Sequence, residues 1–300
     1  MTEISTPTYS ICMCNYNMAD TLPRSLCSIL DQLDAHDYEV VVVDDGSSDN
    51  SVSVVKALQK QYNNLRLVEL ERDKRRKLGI TRNISVQNAK GQYVLLHLDC
   101  DDIYAPFLKD FVAVFHQIEE ACGKDVLVSG KHINMAKKHF LLEHGPYENR
   151  FRGEDRNLWI RLASINAHVL LDHVDFCTRL PKDKRKRYWR SFVHTWDHLV
   201  NDFRAEFGFK LWLKYEILYA YKTKLGWKLR VVRLAMAPFA YIVSRFMESH
   251  PTTPENMNTP AKIEQYRAEN GGNLETILNR FGKKADWAVI SSEGREIFDI

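Results

Sequence analysis

The chain has 300 residues, 45% of them hydrophobic and 27% charged, which excludes a mainly disordered, collagen-like or disulfide-stapled protein. Its length accommodates one large α/β domain, or one domain with an appendage. The net charge of +3 indicates no polyanionic partner for the chain as a whole, but Pro181–His250 carries 15 Lys/Arg against 6 Asp/Glu (+9) and the remainder is −6.

The first third alternates strand and helix signals. Tyr9–Cys14 is a short apolar run and Leu22–Leu33 has helical spacing. Tyr38–Val43 is a solid β-branched run that stops at Asp44-Asp45-Gly46. Val52–Tyr62 reads as a helix, Leu65–Leu70 as a strand, Thr81–Ala89 as a helix and Tyr93–Leu98 as a strand ended by acids. Continuous apolar strands alternating with helices predict a parallel sheet covered on both faces. Such sheets bind ligands at the carboxyl ends of their strands, where both acid clusters fall. Ala105–Glu120 follows as a helix with Pro106 in its first turn. Then come a strand at Val126–Ser129, a polar loop from Gly145 to Gly153, a helix at Glu154–Ala163 and a closing strand at Val169–Phe176.

After Pro181 the pattern changes. Trp189, Phe192, Val193, Trp196, Leu199, Val200 and Phe203 recur every three to four residues, as in an amphipathic helix. An aromatic run from Phe207 to Tyr221 follows, then the uncharged stretch Leu234–Val243 with Pro238 inside it, too short to span a bilayer. Residues 251–300 open with the linker PTTPENMNTP and end in a short helix-and-strand pattern. The organisation expected is therefore 1–180, 181–250 and 251–300. Six cysteines lack pairing spacings, and the opening MTEISTPTYS lacks a charged-then-apolar pattern, so a reducing cytosol is expected. Cys12-Met13-Cys14 reads as alternation on a buried strand rather than as a metal site.

Three acid clusters carry chemistry. Asp99, Asp101 and Asp102 follow one strand and would repel one another if bare, so a cation should compensate them. A hard divalent ion held by one or two carboxylates, with its other sites on substrate phosphates, meets that need. Capping of the next helix explains one of these acids but not three. Asp44-Asp45-Gly46-Ser47-Ser48-Asp49 supplies a turn and a cap, leaving two acids suited to ribose hydroxyls or a base edge. Glu154 and Asp155 open a helix, which its dipole favours; one of them can also serve as a general base.

Taken together, the strand ending Tyr16-Asn17, VVVDDGSSD, GITRNISVQNAKGQYVLLHLDCDD and GPYENRFRGEDRNLWIRLA resemble family 2 glycosyltransferases. These are inverting, nucleotide-sugar-dependent enzymes of the GT-A fold. The resemblance spans about Thr8 to Arg179. Thr81-Arg82-Asn83 with Ala89–Tyr93 matches A-R-N…A-x-G-x-Y, Asp99–Asp102 matches D-x-D-D, and Glu154-Asp155 matches the E-D motif, followed by Leu158 and Arg161-Leu162. The resemblance implies a Rossmann-like, mixed and mostly parallel sheet with flanking helices, plus a helical C-terminal appendage. It also implies that Asp44, Asp45 and Asn17 bind the nucleotide sugar and that Asp99 contacts ribose or donor sugar. Asp101 would hold Mg²⁺ or Mn²⁺ with Asp99 and Asp102 in support. Asp155 would be the base, with Glu154 beside it touching the acceptor and Arg82 reaching a donor phosphate or pairing with an acid. Processive members carry Q/R-x-x-R-W; here Lys184–Trp189 reads KRKRYW, which argues against a processive synthase.

The acceptor implied is a glycan, lipid-linked through a polyprenyl or dolichyl phosphate, in surface-polysaccharide or protein N-glycosylation pathways. The basic aromatic region 181–250, with its Lys182–Arg187 cluster, suits an anionic membrane surface better than nucleic acid, which places the protein on the cytosolic face of the cell membrane. Packing on protein is the alternative reading of that region. Rival functions are a non-catalytic nucleotide-sugar-binding protein and a transferase for a soluble acceptor. A sugar-1-phosphate nucleotidyltransferase lacks its Gly-rich loop here, and a P-loop kinase lacks G-x-x-x-x-G-K-[ST].

Overall fold

Val40–Val43 places four β-branched side chains in succession, and a strand bearing them on both faces needs cover above and below. Tyr38–Asp44 is accordingly buried along its whole length, inside an eight-stranded sheet. The computed structural model describes residues 6–149, 153–180, 187–204, 208–218, 226–247 and 260–300.

The N-terminal half runs β1 (Tyr9–Asn15), α1 (Leu22–Leu30), β2 (Tyr38–Asp44), α2 (Ser51–Leu58), β3 (Leu65–Glu69), α3 (Leu78–Asn88) and β4 (Tyr93–Leu96). It continues with β5 (Asp102–Tyr104), α4 (Leu108–Cys122), β6 (Leu127–Ser129), β7 (Asn134–Lys137), α5 (Lys138–His144), α6 (Glu154–Ser164), β8 (His168–Leu171) and β9 (Cys177–Arg179). Then come α7 (Arg187–Arg204), α8 (Phe209–Leu218), α9 (Trp227–Arg245), α10 (Pro260–Asn270), β10 (Gly271–Gly272), α11 (Leu274–Asn279) and α12 (Ser292–Phe298).

The sheet order is β10-β8-β6-β7-β4-β1-β2-β3, and only β7 runs antiparallel to its neighbours. This is the mixed, mostly parallel α/β architecture expected. One face packs α1 and α4 through Leu22, Leu26, Phe111 and Phe115; the other packs Val86, Phe140, Leu158 and Leu162 of α3, α5 and α6. β5 and β9 form a separate antiparallel ribbon.

Several expected boundaries move. The strand read as Tyr93–Leu98 stops at Leu96, because His97 takes a positive φ of 68° and turns the chain out of the sheet. The helix expected from Ala105 starts at Leu108 with Phe107 as its N-cap, so Pro106 precedes the helix. Of the closing strand expected over Val169–Phe176, only Val169–Leu171 is strand, in β8; residues 172–176 are irregular and lead to β9 in the other sheet. β7 and α5 had no clear sequence signal: β7 is only four residues long and buried, and α5 is a short helix on a charged sequence.

Among the described residues, α7, α8 and α9 share a small core of Leu199, Val200, Phe203, Trp212, Met236, Ala237 and Ala240. No helix among them is long and apolar enough to cross a membrane. The Lys182–Lys186 part of the basic cluster, most of the linker and the side chain of Trp189 lie outside the described residues. The last 30 residues pack onto the first domain: Leu274, Ile277, Leu278, Ile290 and Phe298 lie in its main core, and β10 extends its sheet beside β8.

Candidate active site

The parallel strands β1, β2 and β4 end on the same edge of the sheet, the edge at which open α/β sheets bind ligands. Asn15 and Asp44 are register partners at the ends of β1 and β2. Asn15 Nδ2 donates to Asp44 Oδ2 at 2.6 Å, while the backbone N and Oγ of Ser47 donate to Asp44 at 2.8 and 2.6 Å. Asp44 is thus engaged in building its own turn. Gly46 follows at φ 71°, where a Cβ would lie 2.6 Å from the Arg72 backbone. Only glycine combines that conformation with that approach.

Asp45 is buried and clamped by two cations from the loop after β3. Arg72 Nη1 donates to Oδ2 at 2.6 Å and Arg76 Nε to Oδ1. The Arg72 guanidinium also lies 4.4 Å from the ring centre of exposed Tyr16, a cation–π contact. Asn17 takes a positive φ of 54°, a region asparagine tolerates, and its Oδ1 accepts from Ser48 N at 2.8 Å. These groups form a flat aromatic and charged wall. The sequence reading missed Arg72, Arg76 and Tyr16; the basic run ERDKRRK opposite an acidic strand end was the available signal.

Asp99 to Asp102 form a turn closed by Asp102 N donating to Asp99 O at 3.1 Å. Asp102 is the register partner of Arg179 across the β5–β9 ribbon. Arg179 Nε and Nη2 donate to the two oxygens of Asp102 at 2.8 and 2.9 Å, and Nη2 also donates to Asp99 at 2.9 Å. Arg179 Nε lies 3.9 Å from Asp101. The hydrogen bonds to Asp102 hold the Arg179 pKa above its ordinary value. The cation called for by three adjacent carboxylates is therefore supplied in part by the protein, from a residue 77 positions away. Asp102, expected to support a metal, instead has both oxygens engaged by Arg179.

Asp101 and Asp99 are the other hard oxygen donors of this turn, one buried and one half-buried, with one Asp99 oxygen already bound by Arg179. That donor set fits Mg²⁺ or Mn²⁺ completed by substrate phosphates. Among the described residues, the one group of three potential ligands with atoms within 4.8 Å of one another is Asp102, His132 and Cys177. Burial and Asp102 raise the Cys177 pKa to about 12, so it stays a thiol and a poor ligand.

Arg82 joins this turn to the E-D motif. It is buried in α3, its Nε 3.2 Å from Glu154 Oε1 and its Nη2 3.9 Å from Asp99 Oδ1. Burial works against its charge, but Cys14, Glu154, Tyr147 and Asp99 more than offset that and raise its pKa. Burial raises the pKa of Glu154, partly countered by Arg82. Glu154, expected to touch the acceptor, is thus buried against Arg82, whereas Asp155 is half-buried in the first turn of α6. The structure brings Arg82, Asp99, Asp101, Asp102, Glu154 and Arg179 together. Asp44, Asp45 and Asn17 form the neighbouring wall.

Other signature residues hold the frame. Asn83 exchanges two 2.8 Å hydrogen bonds with the Tyr147 backbone, and Arg161 donates to the carbonyls of His144, Gly145 and Pro146. Gly91 packs against β1 so closely that a Cβ would lie 2.8 Å from Ser10 N.

Comparison with known proteins agrees with this fold. The family model described as glycosyl transferase family 2 matches residues 10–167. An uncharacterized glycosyltransferase of Methanocaldococcus jannaschii is 24% identical over 75% of this chain and 81% of its own. The poly(ribitol-phosphate) β-glucosyltransferase of Bacillus spizizenii is 34% identical, but over only 29% of this chain and 14% of its own length. S. aureus TarS, solved with UDP-GlcNAc, superposes with a TM-score of 0.53 at 16% identity over 92% of both chains. The mannosyltransferase of Pyrobaculum calidifontis, solved with GDP-mannose and Mn²⁺, has a TM-score of 0.51 at 17% identity over 92% of this chain and 79% of that one.

Proposed function

Since the chain belongs to glycosyl transferase family 2, we propose that it is an inverting hexosyltransferase, moving a sugar from a nucleoside-diphosphate donor to a hydroxyl of a glycan acceptor. The observation that carries this reading is Arg82, which ties the helix bearing Asp155 to the turn bearing Asp99 and Asp101. Through Glu154, its neighbour in the sequence, the proposed base Asp155 is linked to the turn that carries the proposed donor acids.

Each residue then has a task. Tyr16 offers a ring face for the nucleobase, and Asp45 with Arg72 borders it. Asp99 and Asp101 would hold a divalent ion, Mg²⁺ or Mn²⁺, which would supply positive charge to the diphosphate leaving group. Arg179 adds a fixed positive charge there and keeps Asp102 oriented. Asp155, exposed enough to meet an acceptor, takes the proton of the attacking hydroxyl; such help contributes roughly 10²–10⁴-fold. Attack from the face opposite the leaving diphosphate inverts the anomeric centre. Glu154 acts through Arg82, as a positioning residue for α3 and α6.

The acceptor is read as a lipid-linked glycan on the cytosolic leaflet, with the protein bound peripherally. A hydroxyl acceptor needs a base such as Asp155, whereas a phosphate acceptor does not. The test is nucleoside diphosphate release from a panel of nucleotide sugars, with Mn²⁺ or with EDTA, with and without lipid extract. Expected is metal-dependent release from one donor, stimulated by the extract and lost in Asp101→Ala. Release stimulated only by soluble glycans would replace the lipid-linked acceptor. Donor binding without turnover under any condition would replace the enzyme with a binding protein.

A further inference from the structure

A helix on a protein surface normally turns its polar side outward. α9 does the reverse. Its inner side packs Met236, Ala237 and Ala240 against Leu199, Val200 and Phe203 of α7 and Trp212 of α8. On its outer side stand Trp227 (71% exposed), Val231, Phe239 (66%) and Ile242, followed by Phe246 (86%) just past the helix end. With 100° between successive residues, Trp227, Val231, Phe239, Ile242 and Phe246 fall within about 120° of arc, a continuous strip rather than scattered exposure.

The charges on this segment are all of one sign. From Trp227 to Met247 there are four cations, Lys228, Arg230, Arg233 and Arg245, and no acid. Arg233 is turned inward, bound to Glu216 at 3.0 and 3.1 Å. Lys228 and Arg230 stand at one end of the apolar strip and Arg245 at the other, and Leu234–Ser244 carries no charge. An apolar strip with cations at both ends fits a helix lying flat in the interface of an anionic bilayer, rings among the acyl chains and cations at the headgroups. Burial of one side against α7 and α8 is inconsistent with insertion along the membrane normal, and no described helix qualifies as a span.

We infer that α9 is a membrane-docking helix whose outer face, built on Val231, Phe239, Ile242 and Phe246, inserts into an anionic phospholipid surface. The inference rests on the peripheral location proposed above and adds the surface that achieves it. Charge complementarity selects lipid over a second copy of the chain: a symmetric pair would set cation against cation. The +9 of residues 181–250 against −6 elsewhere also orients the molecule, drawing the helical region toward negative headgroups and turning the acidic body away.

The test is co-sedimentation of the full chain, without donor or acceptor, with vesicles of phosphatidylcholine alone and with one third phosphatidylglycerol. Expected is binding to the anionic vesicles at least tenfold tighter than to neutral ones. Val231→Glu/Phe239→Glu/Phe246→Glu should lose at least tenfold in anionic binding while keeping its circular dichroism and melting curve, since all three side chains are exposed. Lys228→Ala/Arg245→Ala should reduce the preference for anionic lipid. Wild-type protein left in the supernatant, or a glutamate variant that still sediments, would overturn the inference. So would a wild-type dimer in light scattering that the glutamate variant splits, which would assign the face to a second copy. No turnover is measured, so failure here leaves the transferase reading standing, and failure of the transferase assay leaves this one standing.

Discussion

Asp155 and Glu154 are adjacent carboxylates with different surroundings, and the roles proposed for them follow that difference. Glu154 is buried on Arg82, while Asp155 is half-buried and accepts from the backbone N of Arg156 at 2.7 Å. Asp155→Asn should lower kcat by roughly 10²–10⁴-fold with donor affinity retained, measured by donor titration and single-turnover rates. Glu154→Gln should instead disturb the frame, because it leaves the buried Arg82 without its closest carboxylate; loss of melting temperature along with activity is the expected signature. Gly46 makes a separate case. Alanine there meets the Arg72 backbone at 2.6 Å in a left-handed conformation. Gly46→Ala should cost roughly 1–3 kcal/mol in denaturant unfolding and weaken nucleotide binding, since the same contact seats the arginine that clamps Asp45.

Short elements carry the least obvious contributions. β5 and β9 have three residues each, yet their register sets Asp102 opposite Arg179 and so fixes the charge of the acidic turn. Arg179→Ala should leave Asp102 and Asp99 without the cation the protein supplies and lower the concentration of Mn²⁺ needed for half-saturation, a shift readable by metal titration. At the far edge, His168 of β8 stacks between Trp159 of α6 and Tyr266 of α10, and its Nε2 lies 2.9 Å from Ser129 Oγ. Burial, with Arg267 nearby, lowers its pKa from 6.5 to about 3. Between those values the unfolded chain binds a proton that the folded chain refuses. Stability is therefore fully present above pH 6.5 and falls as pH drops toward 3, by up to roughly 4 kcal/mol. Urea unfolding at pH 7 and pH 4.5 should show the loss, and His168→Gln should flatten it.

At the scale of the molecule, the final segment completes the first domain. Phe298 is fully buried among Phe111, His173 and Phe176, and Ser291 is bound to Asp110 of α4 through its backbone N at 2.7 Å and its Oγ at 2.8 Å. Phe298→Ala should cost about 3–5 kcal/mol. A chain ending at residue 250 should melt far earlier than the full chain or fail to fold, which thermal unfolding of the two would show. The sequence by itself determined the alternation of β1 to β4 with their helices, the parallel sheet and the acid clusters at its carboxyl edge. Those features follow from local periodicity and from residues close together in the chain, and the motifs that identify the family lie within them. Only the tertiary structure decided that Asp44 is engaged in its own turn, that Arg72 and Arg76 hold Asp45, that Arg179 answers the aspartate turn and that residues 271–300 close the core. Each of these depends on side chains brought together from 27 to 187 positions apart in the sequence, or on a turn's backbone angles, and neither leaves a periodic trace. α9 is intermediate: its apolar composition was legible, but which side faces outward depended on where α7 and α8 pack.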